Sequence, residues 1–183
     1  MTNLPPPEFQ AELMLLLPNL RAFARSLTRS GDQADDLVQE ALMKAWRNWR
    51  QFAPESNLKA WMFTIVRNAY LSERRKRKFE VADVDGEIAG QLSVKAEQPG
   101  HMDALDFQSA FRQLLPEQKE ALVLIGAEGF SYEEAALMCG CAVGTMKSRV
   151  NRARVKLARI MGIEDTAEVG AGGQIDHLIR AAG

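Results

Sequence analysis

Residues 131–154 read Ser131-Tyr132-Glu133-Glu134-Ala135-Ala136-Leu137-Met138-Cys139-Gly140-Cys141-Ala142-Val143-Gly144-Thr145-Met146-Lys147-Ser148-Arg149-Val150-Asn151-Arg152-Ala153-Arg154. The opening tetrad has the form of a capping box. The Ser131 hydroxyl can accept from the amide of Glu134, and the Glu134 carboxylate can reach back to the amide of Ser131. A short helix follows, with Ala135, Ala136 and Met138 on its buried side. Gly140 sits where a left-handed residue would end that helix. A second helix begins about two residues later, so the stretch is predicted to be a helix-turn-helix. Cys141 stands where an oxygen-bearing cap would be better chemistry, a local weakness at the turn.

The second helix fixes its own orientation. Met146, Val150, Ala153, Leu157 and Met161 recur at intervals of three and four, which places them on one narrow stripe that must face a core. Ser148, Asn151, Arg152 and Arg159 lie opposite. Lys147 and Arg154 flank one side, Arg149 and Lys156 the other. Between Gly144 and Met161 there are six cations and no acid. An ordinary amphipathic surface helix mixes both signs. An apolar back with unopposed cations on the outer face is instead the layout of a helix that enters the DNA major groove, where Arg, Lys and Asn read guanine and adenine edges.

Further out, a second basic element appears. Arg67, Arg74, Arg75, Lys76, Arg77 and Lys78 oppose only Glu73, a net charge of +5. Like charges on one helix repel, and a polyanionic partner removes that cost. Residues 80–106 hold Glu80, Asp83, Asp85, Glu87, Glu97, Asp103 and Asp106 against Lys95, a net of −6, punctuated by Gly86, Gly90, Pro99 and Gly100. This reads as a linker, with a short turn around Ile88. Before it, helices are predicted from about Phe9 to Leu27, after Gly31 with Asp32 as cap and Asp35 and Asp36 in the first turn, and from about Leu58 to Lys78. After it, helical signal resumes near Asp106 and ends at Gly162. Residues 163–183 form a tail, with a short amphipathic turn from Ile175 to Ile179. The predicted fold is all-α, with two small helical domains (1–79 and 105–162) joined by an acidic linker (80–104).

Composition narrows the class. The chain has 183 residues, a net charge of −1 and 46% hydrophobic residues, as expected of a globular protein. Cys139 and Cys141 form a C-x-C with no further ligands nearby, and His101 and His177 are isolated, so no metal site and no disulfide framework are expected. The N-terminus lacks a basic start and an apolar core. The longest apolar run, Ala121 to Ile125, is too short to cross a bilayer. A cytoplasmic, membrane-free protein is expected. There is no phosphate-cradling glycine loop and no nucleophile–histidine pair, so neither an enzyme, a cofactor nor a small-molecule ligand is expected.

These residues resemble the extracytoplasmic-function class of RNA polymerase sigma factors. The resemblance covers about 9–79 and 105–162. Asp35-Asp36-Leu37-Val38-Gln39-Glu40-Ala41 resembles the polymerase-clamp helix of the second conserved region. Asn57 to Asn68 resembles the segment that opens and reads the minus-ten element. Phe130 to Ala136 and Gly144 to Arg154 resemble the fourth-region helix-turn-helix that reads the minus-thirty-five element. The wording from Gly126 to Arg154 is most similar to the general-stress-response branch, whose members are held by a small anti-sigma protein until a response regulator with a sigma-like domain removes it.

The resemblance implies roles for matched positions. Asp36, Gln39 and Glu40, supported by Leu37, would bind core RNA polymerase. Phe52, Ser56, Asn57, Lys59, Arg67, Asn68, Arg74 and Arg75 would engage the minus-ten strand, with Phe52 and Asn68 around a flipped base. Trp61 and Phe63 are expected in the core. Thr145, Lys147, Ser148, Arg149, Asn151, Arg152 and Arg154 would read or brace the upstream element. The partners implied are core polymerase, promoter DNA and a small anti-sigma factor. The linker could stretch roughly 80–90 Å, enough for one to two duplex turns of roughly 35–70 Å. Its acidity favours a basic polymerase channel, or folding back on the two basic helices in the free protein. Two other readings stay open: a sigma mimic that titrates an anti-sigma, and a free-standing regulator. A mimic needs no DNA-reading bases and usually carries a receiver domain. A regulator needs a dimer or ligand domain.

Overall fold

The structure is a computed structural model, and it describes residues 4–28, 30–53, 55–82 and 102–162. The expected turns around Ile88 and from Ile175 to Ile179, and the fold-back of the linker, lie outside the described residues.

Helix α1 (Pro7–Leu27) starts with proline in its first turn, where the missing amide costs nothing. It continues through Pro18. Phe9, Leu13, Leu20, Phe23 and Ala24 are its buried face. Helix α2 (Gly31–Arg47) is capped by Ser30, whose hydroxyl accepts from the amide of Gln33 at 3.2 Å. The expected cap, Asp32, is instead inside the first turn, and Asp35 and Asp36 fall one turn later than the sequence reading placed them. A serine in extended conformation two residues upstream offers the better oxygen geometry. After a 3-10 turn (Trp49–Gln51), helix α3 (Leu58–Ala82) runs four residues beyond the expected Lys78. Asn57 caps it, its side-chain oxygen accepting from the amide of Ala60 at 3.1 Å.

Helix α4 (Met102–Arg112) begins earlier than the expected Asp106. Helix α5 (Pro116–Leu122) passes into a π-helical turn (Val123–Ala127) that closes with the amide of Glu128 on the carbonyl of Val123 at 2.9 Å. Helices α6 (Tyr132–Cys139) and α7 (Val143–Met161) complete the helix-turn-helix. Gly140 ends α6 at φ 61°, the left-handed conformation in which a Cβ is strained. On α7, Met146, Val150, Ala153 and Leu157 are buried, as the stripe requires.

Helices α1, α2 and α3 pack on one another as one lobe. In the other, α7 is the platform for α4, α5 and α6. The lobes also touch: α1 meets α5 and α3 meets α6, and the buried residues of both join in one apolar cluster.

Both halves of the capping box at α6 are formed. The amide of Glu134 donates to the Ser131 hydroxyl at 3.1 Å, and the amide of Ser131 donates to the Glu134 carboxylate at 2.9 Å. The hydrogen bonds from Ser131, backbone first and side chain second, hold the Glu134 carboxyl below its ordinary value. A depressed carboxylate contributes stability above the unfolded-state value and loses it as pH falls through the folded one. Ser131→Ala is therefore expected to cost about 1 kcal/mol in urea unfolding at neutral pH. The penalty should shrink in acid, below the ordinary glutamate range.

Candidate nucleic-acid interface

On α7, the capping turn and the buried stripe leave Thr145, Lys147, Asn151 and Arg152 exposed along one outward strip, with Ser148 and Arg149 half-buried beside them. The Lys147 ammonium stands 5.7 Å from the ring centroid of Tyr132, across the helix-turn-helix. An Arg149 guanidinium nitrogen lies 3.8 Å from the Cys141 sulfur, which tethers its stem toward the turn. None of Lys147, Arg149, Arg152 and Arg159 forms an ion pair among the described residues. Arg154 departs from expectation: it is 7% exposed. Buried within the protein, it offers no open face to a duplex. Cys139, the last residue of α6, is buried, and its thiol is pushed up to about 12, by burial first and by the nearby Glu120 second. It is a structural thiol.

On α2, Asp36, Gln39 and Glu40 are exposed on one face, and Met43 and Trp46 continue that face at helical spacing. Glu40 pairs with Lys44 one turn on, at 2.6 Å. Leu37 is 2% exposed. It cannot touch a partner and supports the face from within the core.

The residues nominated for the minus-ten strand divide into two groups. Asn68, Arg74 and Arg75 are exposed along α3, with the Arg74 guanidinium 5.7 Å from the Tyr70 ring. Ser56 is exposed and donates to the carbonyl of Ala53 at 2.6 Å, which shapes the loop before α3. Phe52 is half-buried in a cluster with Phe9 and Trp61, at centroid distances of 5.8 and 5.5 Å. Phe63 is fully buried and packs on Phe23 at 4.9 Å and Phe130 at 5.3 Å. Trp61 and Phe63 thus serve the core, as expected.

Asn57, Lys59 and Arg67 form the second group, and each meets the other lobe. The Asn57 amide donates to Glu134 at 3.5 Å. The Lys59 ammonium lies 2.9 Å from the Glu128 carboxylate and donates to the Glu128 carbonyl at 2.8 Å. The Arg67 guanidinium donates to Glu120 at 2.6 Å, with the two side chains 15% and 9% exposed. Sequence reasoning did not single out Glu120 and Glu128. One signal was available for Glu120: a carboxylate abutting the apolar run Ala121 to Ile125 is costly unless a cation meets it.

The fold is matched by sequence relationships. Sigma-70 region 2 matches residues 13–80 and Sigma-70 region 4 matches residues 104–157. The ECF RNA polymerase sigma factor EcfG of Rhodopseudomonas palustris (strain TIE-1) is 48% identical over 170 residues, covering 93% of this chain and 92% of that protein. The chain belongs to the ECF RNA polymerase sigma factors. Among solved structures, this sigma factor is similar to the sigma factor RpoE in complex with the anti-sigma factor NepR from Bartonella quintana. That match has 51% identity and a TM-score of 0.76, and covers 86% of this chain and 99% of that one. It is also similar to CnrH in complex with the cytosolic domain of CnrY, at 26% identity and a TM-score of 0.60, covering 86% and 89%. The α1–α3 lobe of this sigma factor is accordingly its region 2 and the α4–α7 lobe its region 4. Sigma factors direct transcription and are not enzymes. No helix among the described residues is long and apolar enough to cross a membrane.

Proposed function

We propose that this chain binds core RNA polymerase in the cytoplasm, directs it to stress-response promoters and is held inactive by a small anti-sigma factor. The observation that carries the reading is the outer face of α7, where Lys147, Asn151 and Arg152 are exposed with no carboxylate of their own helix to neutralise the cations. Phosphate neutralisation and base-edge hydrogen bonds are the interactions such a face offers. In the mechanism proposed, Thr145, Lys147, Ser148, Arg149, Asn151 and Arg152 read or brace the upstream duplex. The Asp36, Gln39 and Glu40 face docks on the polymerase. Region 2 captures unpaired bases with the loop from Phe52 to Asn57, with Lys59, Arg67 and Asn68, and with Arg74 and Arg75 on the backbone. Strand opening is favoured by binding energy alone, without bond chemistry. The anti-sigma assignment is supported by the likeness to a Bartonella quintana sigma factor that was solved with NepR.

The test is transcription in vitro with core polymerase and a library of promoter sequences. Initiation from a defined subset, suppressed by a small anti-sigma factor of the NepR kind, is the expected result. A chain that binds the anti-sigma factor but initiates nowhere would be a sigma mimic.

A further inference from the structure

The first turn of α5 and the outer face of α7 border one open cleft. Its walls carry two opposite kinds of hydrogen-bonding group. The guanidiniums of Arg149 and Arg152, from α7, only donate. The carboxylate of Glu117, from α5, only accepts. Thr145 and Ser148 line the same cleft with hydroxyls that can do either. Glu117 is exposed, and none of Glu117, Arg149 and Arg152 forms an ion pair among the described residues. The opposite charges therefore share a cleft without cancelling each other.

Glu117 is not needed to hold its own helix. The start of α5 is set by Pro116 in the first turn and by Gln118, whose side-chain oxygen accepts from the amide of Leu115 at 3.0 Å. A carboxylate in a first turn gains a small stabilisation from the helix dipole. That effect asks for an acid on the helix, and it gives no reason for one in a cleft shared with the DNA-reading face of α7.

On a surface that meets DNA a carboxylate is a liability. It repels phosphates on every sequence, and the repulsion is offset only where a base donates a hydrogen bond to it. In the major groove the donors are the amino groups of cytosine and adenine, whereas guanine and thymine present acceptors. Adenine sets its N7 acceptor beside the amino group, which an amide satisfies and a carboxylate does not. Cytosine offers its amino group without that acceptor. The guanidiniums of the same cleft suit the O6 and N7 of guanine. Resting on the sigma-factor reading above, we propose that Glu117, which lies outside the helix-turn-helix, is a specificity-determining residue of region 4. Its carboxylate accepts from the amino group of a cytosine paired with, or one step from, a guanine met by Arg152. Duplexes without a donor at that place are penalised, so selectivity comes from rejecting wrong sequences as much as from binding the right one.

The test uses the full-length chain assembled with core RNA polymerase, and promoter fragments randomised across the upstream element, with the bound fragments sequenced. Glu117→Ala is expected to lower the preference for cytosine at one position about fivefold, the lower end of what a base-edge contact contributes, and to leave the guanine preference standing. Its affinity for fragments with a scrambled upstream element should rise about twofold, because a like charge has left the field of the phosphates. Glu117→Gln is expected to move the same position toward adenine, whose N6 and N7 an amide meets together. A residue that served only the helix dipole would change the unfolding midpoint and no position of the sequence profile. If the unaltered chain enriches a motif and both variants enrich the same motif equally well, the assignment of Glu117 alone is overturned. Uniform flattening of every position in both variants also overturns it, since that reports loosened docking. An unaltered chain that enriches no upstream sequence sinks the sigma-factor reading itself, and this assignment with it.

Discussion

Phe63→Ala is expected to cost about 3–5 kcal/mol of unfolding free energy, the range for removing a buried phenyl ring from a packed interior. The ring is wholly shielded from solvent and packs against Phe23 of α1 on one side and Phe130 of region 4 on the other. Its deletion opens a cavity where both lobes meet. The segment from Asn57 to Asn68 resembles the one that opens promoter DNA, so an aromatic residue here could be assigned to stacking on a base. The two roles differ in what they leave untouched. A stacking ring could be removed with little change in stability and a marked loss of strand affinity. A core ring behaves in the opposite way, and any effect on strand binding should follow from loosened lobes. Urea unfolding decides between them: a loss under about 1 kcal/mol would remove Phe63 from the core.

The helix-turn-helix was legible because its signals are local. A capping box, a glycine at a left-handed position and a stripe at helical spacing each constrain residues within one or two turns of each other. Caps and helix ends were less accurate where two candidates competed. Ser30 and Asp32 both offer a side-chain oxygen, and only the extended backbone at Ser30 selects between them. Leu37 and Arg154 show the limit of carrying a role over position by position. Both fall inside motifs that match the family, yet both are buried. The partners of Asn57, Lys59 and Arg67 were not legible at all. Those contacts join residues more than fifty positions apart, and no periodicity within a helix encodes which carboxylate of a second lobe will face a given cation. Counting charges by segment gave two basic helices with unopposed cations. The fold keeps that description for Lys147, Arg149, Arg152 and Arg159 of α7, none in an ion pair among the described residues, and partly cancels it for α3, where Arg67 is paired with Glu120.

Arg152→Ala is expected to weaken binding to the upstream promoter element by about 1–3 kcal/mol, roughly a 5- to 150-fold loss, and to do so on the cognate sequence alone. Arg152 is exposed and lines an open cleft with Glu117, Gln118, Thr145, Ser148 and Arg149. A carboxylate in the same cleft disfavours a phosphate there, while it tolerates or accepts from the amino group of a cytosine. An arginine so placed is better suited to the O6 and N7 acceptors of a guanine than to the backbone. Lys147 forms no ion pair among the described residues and lies over the Tyr132 ring. A single ammonium on a flexible stem suits a phosphate. Lys147→Ala should therefore reduce affinity about equally on all duplexes and lower the salt dependence of binding by about one unit of slope. Measured on cognate and scrambled duplexes across a salt series, the two variants should separate cleanly. If Arg152→Ala loses the same factor on both duplexes and flattens the salt dependence, its contact is to the backbone, and sequence reading by α7 must fall to Asn151, Ser148 and Arg149 instead.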